Sequence, residues 1–210
     1  MKRFLLLVAV LALAVLAVWF FMFKGKMMSV SGPGPQPLAV SKHSPAFNAS
    51  AQRMMEAYYG LSEAFVNWDT AAVTRQAAAL KEALDSLKLE ELHHDTLIYE
   101  TALGPWGDAK AETAGLIQDP SLDEKRLSFN TLTQHLYDLL RTVRFDLAKV
   151  YFQECPMAFG EDKPGNWLSS TREVRNPYLG NRHPKFKESM LHCGNPKDTL
   201  DFLASDSTKH

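Results

Sequence analysis

Residues 44–68 read SPAFNASAQRMMEAYYGLSEAFVNW, and the spacing of their apolar side chains decides the fold. Phe47, Ala51, Met54, Met55, Tyr58, Leu61, Phe65 and Trp68 recur at three- and four-residue steps, which lays one apolar stripe along a helix. Ser44 followed by Pro45 marks its start, because the hydroxyl accepts from an otherwise unpaired amide of the first turn and proline needs no donor there. Beyond the stripe, Asp69 is placed to cap a second helix carrying Val73, Ala77, Leu80, Leu84 and Leu87, so the two read as an antiparallel hairpin.

The same period continues downstream. Residues 95–118 are helical in composition, but Gly104-Pro105-Trp106-Gly107 interrupts them. Proline removes a ladder donor and its ring clashes with the preceding turn, so a kink or two shorter helices are expected. Asp119-Pro120-Ser121 restarts the chain, and Leu122, Leu127, Leu132, Leu136, Leu139, Leu140 and Val143 predict a long fourth helix. Four helices with short connections give the expected fold class, mainly α, as an antiparallel four-helix-type bundle. No solenoid-type repeat runs through the 210 residues, and their number suits one core.

Upstream, residues 4–23 form an unbroken apolar run behind Lys2 and Arg3, and 20 residues of helix rise about 30 Å, the hydrocarbon thickness of a bilayer. Cleavage after Ala12-Leu13-Ala14, as in a signal peptide, would leave Trp19, Phe20 and Phe21 on a greasy tail, so residues 1–26 are read as an uncleaved transmembrane anchor. Residues 27–46 carry Pro33, Pro35, Pro37 and Pro45 with Gly32 and Gly34, a spacer that extends at about 3.1 Å per residue. The domain itself is expected at residues 47–205. Lys plus Arg (23) and Asp plus Glu (24) nearly cancel without a dense basic run, which argues against nucleic acid as a partner.

Past about Arg144 the helical period disappears. Val150-Tyr151-Phe152 is strand-like, and the Gly/Pro-rich stretch that follows carries Trp167, Tyr178 and Phe186, which need burial. Residues 144–205 are therefore expected to form a loop-rich flap packed on the bundle.

Within that flap, Cys155-Pro156-Met157-Ala158-Phe159, Trp167-Leu168-Ser169, Asn176-Pro177-Tyr178-Leu179-Gly180, Met190 and Cys193-Gly194 together resemble an uncharacterised bacterial domain family. Members of that family occur alone behind an export or anchor segment, and as the C-terminal part of periplasmic adaptor subunits of copper/silver RND efflux pumps. The resemblance implies a domain facing the periplasm from the bacterial inner membrane, held there by residues 4–23. Lys2 and Arg3, set against Lys24 and Lys26, favour that orientation only slightly. In the family the Asn-Pro-Tyr-x-Gly element runs almost directly into the methionine and Cys-Gly, whereas here residues 181–189 intervene.

Thiolates and thioethers are soft donors that select Cu(I) or Ag(I) over harder ions. Cys155 with Met157, and Met190 with Cys193, supply two such pairs, and His192 is a candidate additional ligand. The expected function is binding or delivery of Cu(I) or Ag(I) in metal homeostasis or efflux, with a metal-efflux or other envelope protein as partner. The alternative is a Cys155–Cys193 disulfide, worth about 4 kcal/mol for a loop of this length, in a non-catalytic module that docks on an envelope or efflux protein. Both remain open.

No catalytic residues are expected, because the chain has no Gly-rich phosphate loop, serine elbow or closely spaced cysteine pair. His93-His94 reads as a solvated helix end, His135 as a boundary histidine, and Met54-Met55 and Met27-Met28 as core and spacer residues.

Overall fold

The computed structural model describes residues 43–203. The expected anchor, Met27-Met28 and nearly all of the expected spacer lie outside the described residues. Among the described residues, no helix is long and apolar enough to cross a membrane.

Four helices lead the fold: α1 (Pro45–Val66), α2 (Thr70–Asp85), α3 (Thr96–Gln118) and α4 (Leu122–Val143), with a 3-10 turn at Leu89–Leu92. Each N-terminus is closed by a side chain. Ser44 Oγ accepts from Phe47 N at 3.1 Å, Asp69 from Ala72 N at 2.8 Å and Asp95 from Ile98 N at 3.1 Å. Ser121 and Glu124 cap α4 reciprocally, each side chain taking the other's backbone amide. Residues 67–69 and 119–121 are the only connections within the first and last pairs, so successive helices double back on each other.

The stripe from Phe47 to Phe65 is buried, but Trp68 lies past the end of α1, at φ 56°, and is only half-buried. The face expected for α4 is also shifted. Leu127 is exposed and Leu122 half-buried, while Lys125, Arg126, Phe129, Leu132, Thr133 and Leu136 form the buried side. Five-residue steps such as 122, 127, 132 drift around a 3.6-residue helix, so those leucines never formed one face.

Of the two outcomes expected at Pro105, the division into two shorter helices does not occur, for α3 runs through it as one helix. Pro105 sits at the half-buried margin, no other group approaches where a Cβ would stand on Gly104 or Gly107, and Trp106 anchors the turn by donating from Nε1 to Leu84 O at 2.9 Å. Helix packing on both sides of the proline outweighs the single missing donor.

The flap is more ordered than a loop-rich segment. Strands β1 (Val150–Cys155), β2 (Gly165–Ser169) and β3 (Asn195–Leu200) form an antiparallel sheet in the order β2-β1-β3. Only Val150-Tyr151-Phe152 carried a strand signal in the sequence; β2 and β3 are short and held by partners distant in sequence. Helices and sheet share one core, in which Tyr58, Phe129, Trp167 and Tyr178 are buried.

Candidate functional site

The face of α4 toward the flap carries Arg126, Asn130, Thr133 and Tyr137, polar residues at helical spacing. Asn130 Oδ1 accepts from Asn166 N at 2.7 Å, and Thr133 Oγ1 pairs with Tyr58 OH at 2.8 Å. Tyr58 OH in turn accepts from Leu168 N at 3.0 Å, so one hydroxyl joins α1, α4 and β2. Burial raises the pKa of that hydroxyl well above its ordinary range. Tyr137 donates to Asp198 and lays its ring 4.4 Å from Phe152. These contacts seat the sheet on the bundle, and the sheet places the cysteines.

Asn176 governs where the second cysteine lies. Its Oδ1 accepts from Tyr178 N at 2.8 Å and Leu179 N at 3.0 Å, a side-chain turn of the kind asparagine favours. Its Nδ2 donates to Cys193 O at 2.8 Å and its backbone N to Leu191 O at 2.8 Å. The inserted residues 181–189 are thus looped out between two pinned ends, and the Cys193 segment stays against β1. Tyr178 completes the frame by donating to Asn166 O. Gly194, at φ 136°, is needed here: a Cβ would lie 2.6 Å from Glu154 O and 2.9 Å from the Trp167 ring.

The result is a pair of thiols. Cys155, fully buried at the end of β1, and Cys193, partly buried, bring their Sγ atoms to 3.2 Å. That separation lies between a disulfide bond of about 2.05 Å and the roughly 3.8 Å expected for two sulfurs sharing a tetrahedral metal at about 2.3 Å bonds. Burial first, then the neighbouring Cys155, push the Cys193 thiol up to about 11, so it is protonated at neutral pH. Either chemistry must remove that proton.

The other expected ligands are placed less uniformly. Met190 is half-buried against the core, two hydrogen-bonded turns before β3. Met157 stands in the β1–β2 turn and is 38% exposed. His192 is exposed, and its Nδ1–H donates to Val174 O at 2.8 Å, which leaves Nε2 with the lone pair. Among the described residues no group of three or more His, Cys, Asp or Glu side chains is arranged to hold a metal. A soft ion at this site would therefore rest on sulfur. His93 and His94 are exposed: the His93 ring lies tilted against Tyr99 at 3.8 Å, and His94 Nδ1–H donates to Glu91 O at 3.0 Å. His135 lies 3.9 Å from Asp108 at the bundle margin.

Asn130 and Tyr58 were not singled out from the sequence as site residues. The available signal was the polar line 126, 130, 133, 137 on a helix otherwise facing a core, which has to be met by polar partners from elsewhere in the chain.

Residues 54–146 match a family described as a protein of unknown function (DUF3347). The fold therefore contains an uncharacterised domain, and the match covers the helical part from within α1 onward, whereas the motifs that carry the resemblance lie in the flap beyond it. No curated protein and no solved structure matches the chain.

Proposed function

We propose that this chain binds and delivers a soft monovalent ion, Cu(I) or Ag(I), through Cys155 and Cys193, on the periplasmic side of a bacterial inner membrane to which residues 4–23 tether it. The receiving partner is a metal-efflux or other envelope protein, and no catalysis is involved. The observation that carries this reading is the meeting of two cysteines 38 residues apart at 3.2 Å, held by Asn176 and the sheet. The donor chemistry fits: two thiols form a soft set, and Met190 and Met157 flank them in sequence as thioethers. Cys193 is the more accessible sulfur, the one an incoming ion reaches first. Binding releases thiol protons, so apparent affinity rises with pH.

The same 3.2 Å separation favours a second reading, a disulfide that staples a docking module. Anaerobic Cu(I) titration of the reduced full-length chain against a chromophoric competitor, with a thiol count of the protein as isolated, separates the two. A one-to-one complex lost in Cys193→Ser and weakened in Met190→Leu or Met157→Leu is the expected result. Absence of binding, with no free thiols and a large stability loss on reduction, would overturn it and leave the stapled docking module.

A further inference from the structure

Away from the cysteine pair, a cavity of about 440 Å³ opens between the start of α4, the end of α1 and the flap. Its apolar walls come from Trp68, Leu127, Ala158, Phe159 and Tyr178, and its charged groups are Arg126, Lys163 and Asp123. Volume and lining are those of a small-molecule site.

Arg126 is the unusual member. It is 3% exposed, its guanidinium lies 3.8 Å from the Trp68 ring, and its Nη1 donates at 3.3 Å to Asp123, whose side chain is 92% exposed. Its Nε and Nη2 are buried and donate to no protein group. A buried charged donor is costly to leave unpaired, which makes these guanidinium N–H groups a natural seat for an acceptor. The same edge of an arginine is filled elsewhere in this protein, where Arg175 donates from Nε at 3.1 Å and from Nη2 to the two oxygens of Glu63. Arg126 presents the same fork with no protein carboxylate on it.

The charged groups lining the cavity bear on the ligand it would take. Burial draws Arg126 down to about 10, so it stays cationic at neutral pH. His183 Nδ1 accepts from Lys185 N at 3.1 Å and Phe186 N at 3.2 Å, and burial with the nearby Arg126 lowers its pKa, so it is neutral. Among the lining residues Arg126 and Lys163 face one carboxylate, Asp123, and Lys185 and Lys187 stand close to His183, so the surroundings favour an anion. A planar carboxylate matches the guanidinium fork with two parallel hydrogen bonds, which a tetrahedral anion fits less well.

We infer that this cavity binds a small monocarboxylate with a flat apolar body, its carboxylate paired with the Arg126 fork and its body lying against the apolar walls. Because Nε and Nη2 are shielded from solvent, pairing requires a shift of the guanidinium or of the groups that cover it. This site is separate from the cysteine pair and does not depend on metal.

The test is calorimetric titration of the full-length chain with 2-naphthoate, its neutral isostere 2-naphthamide, and inorganic phosphate. Naphthoate is expected to bind one per chain, about tenfold or more tighter than the amide, as charge-assisted bidentate pairing requires. Arg126→Lys should lose about tenfold in naphthoate affinity with the amide little changed, because an ammonium cannot reproduce the planar fork. Lys163→Glu, an exposed position, carries the test if Arg126→Lys fails to fold, and should weaken naphthoate selectively. Unchanged naphthoate binding in Cys193→Ser supports independence from the thiol site. Equal binding of acid and amide, no naphthoate binding at millimolar concentration, phosphate binding as tightly as naphthoate, or variants that bind like the parent would each overturn the inference.

Discussion

His43 stands at the start of the described chain and ties it to the far end of α4. Its Nε2–H donates to Val143 O at 2.6 Å, and Nδ1 lies 3.2 Å from Asp146 Oδ1. Burial holds the imidazole below its ordinary 6.5, outweighing the attraction of Asp146, and His94 nearby adds to the lowering. The unfolded chain therefore takes up the proton more readily. Stability from this residue is present above pH 6.5 and is lost as pH falls through the depressed folded value. His43→Gln, which keeps a donor for Val143, should flatten that acid limb; urea midpoints at about pH 7.5 and 5.5 will differ less in the variant than in the parent. Identical slopes would assign the acid sensitivity to other groups, of which His183, also lowered, is the first to examine.

Among the elements, α3 is where local propensity and packing disagree. Pro105 leaves Thr101 O without its ladder donor, yet Ala102 and Ala109 on either side of the proline are fully buried and the helix persists. Pro105→Ala restores the donor at a half-buried position and should stabilise by about 1 kcal/mol or more, measured by urea denaturation. A loss of stability would mean that the proline positions Trp106. The helices were legible because three- and four-residue spacing and the cap residues Ser44 and Asp69 are local signals, whereas the Asp95 cap was found only in the structure. The sheet was not: β2 is Gly165–Ser169, only five residues, and its outer amides are met by Asn130 and Tyr58, partners 36 and 110 positions away. The cysteines could be named from composition, but their meeting depends on Asn176, whose role emerges only once residues 181–189 are looped out.

At the scale of the whole molecule, the family match ends at residue 146 while the packing does not. Phe129, Leu132 and Leu136 of α4 are buried in one core that includes Val150, Trp167, Leu168 and Tyr178 of the flap. A chain ending after Asp146 would expose that face and leave the Tyr58 hydroxyl without Leu168. It should lose cooperative thermal unfolding and bind a fluorescent hydrophobic dye, the behaviour of a loosely packed helical state. A sharp transition at the parent temperature would show that the helices are self-sufficient and the flap an accessory.

The sealing of β2 by helix side chains also bears on how the protein behaves when crowded. Strands recruit strands through vacant amide and carbonyl rails, the route by which sheets grow into fibres. Here one rail is occupied at Asn166 and Leu168, and the other border, β3, contains Pro196, which has no amide to give, followed by Lys197 and Asp198. Concentrated on a surface, many copies of this sheet would lie side by side without a template for polymerisation.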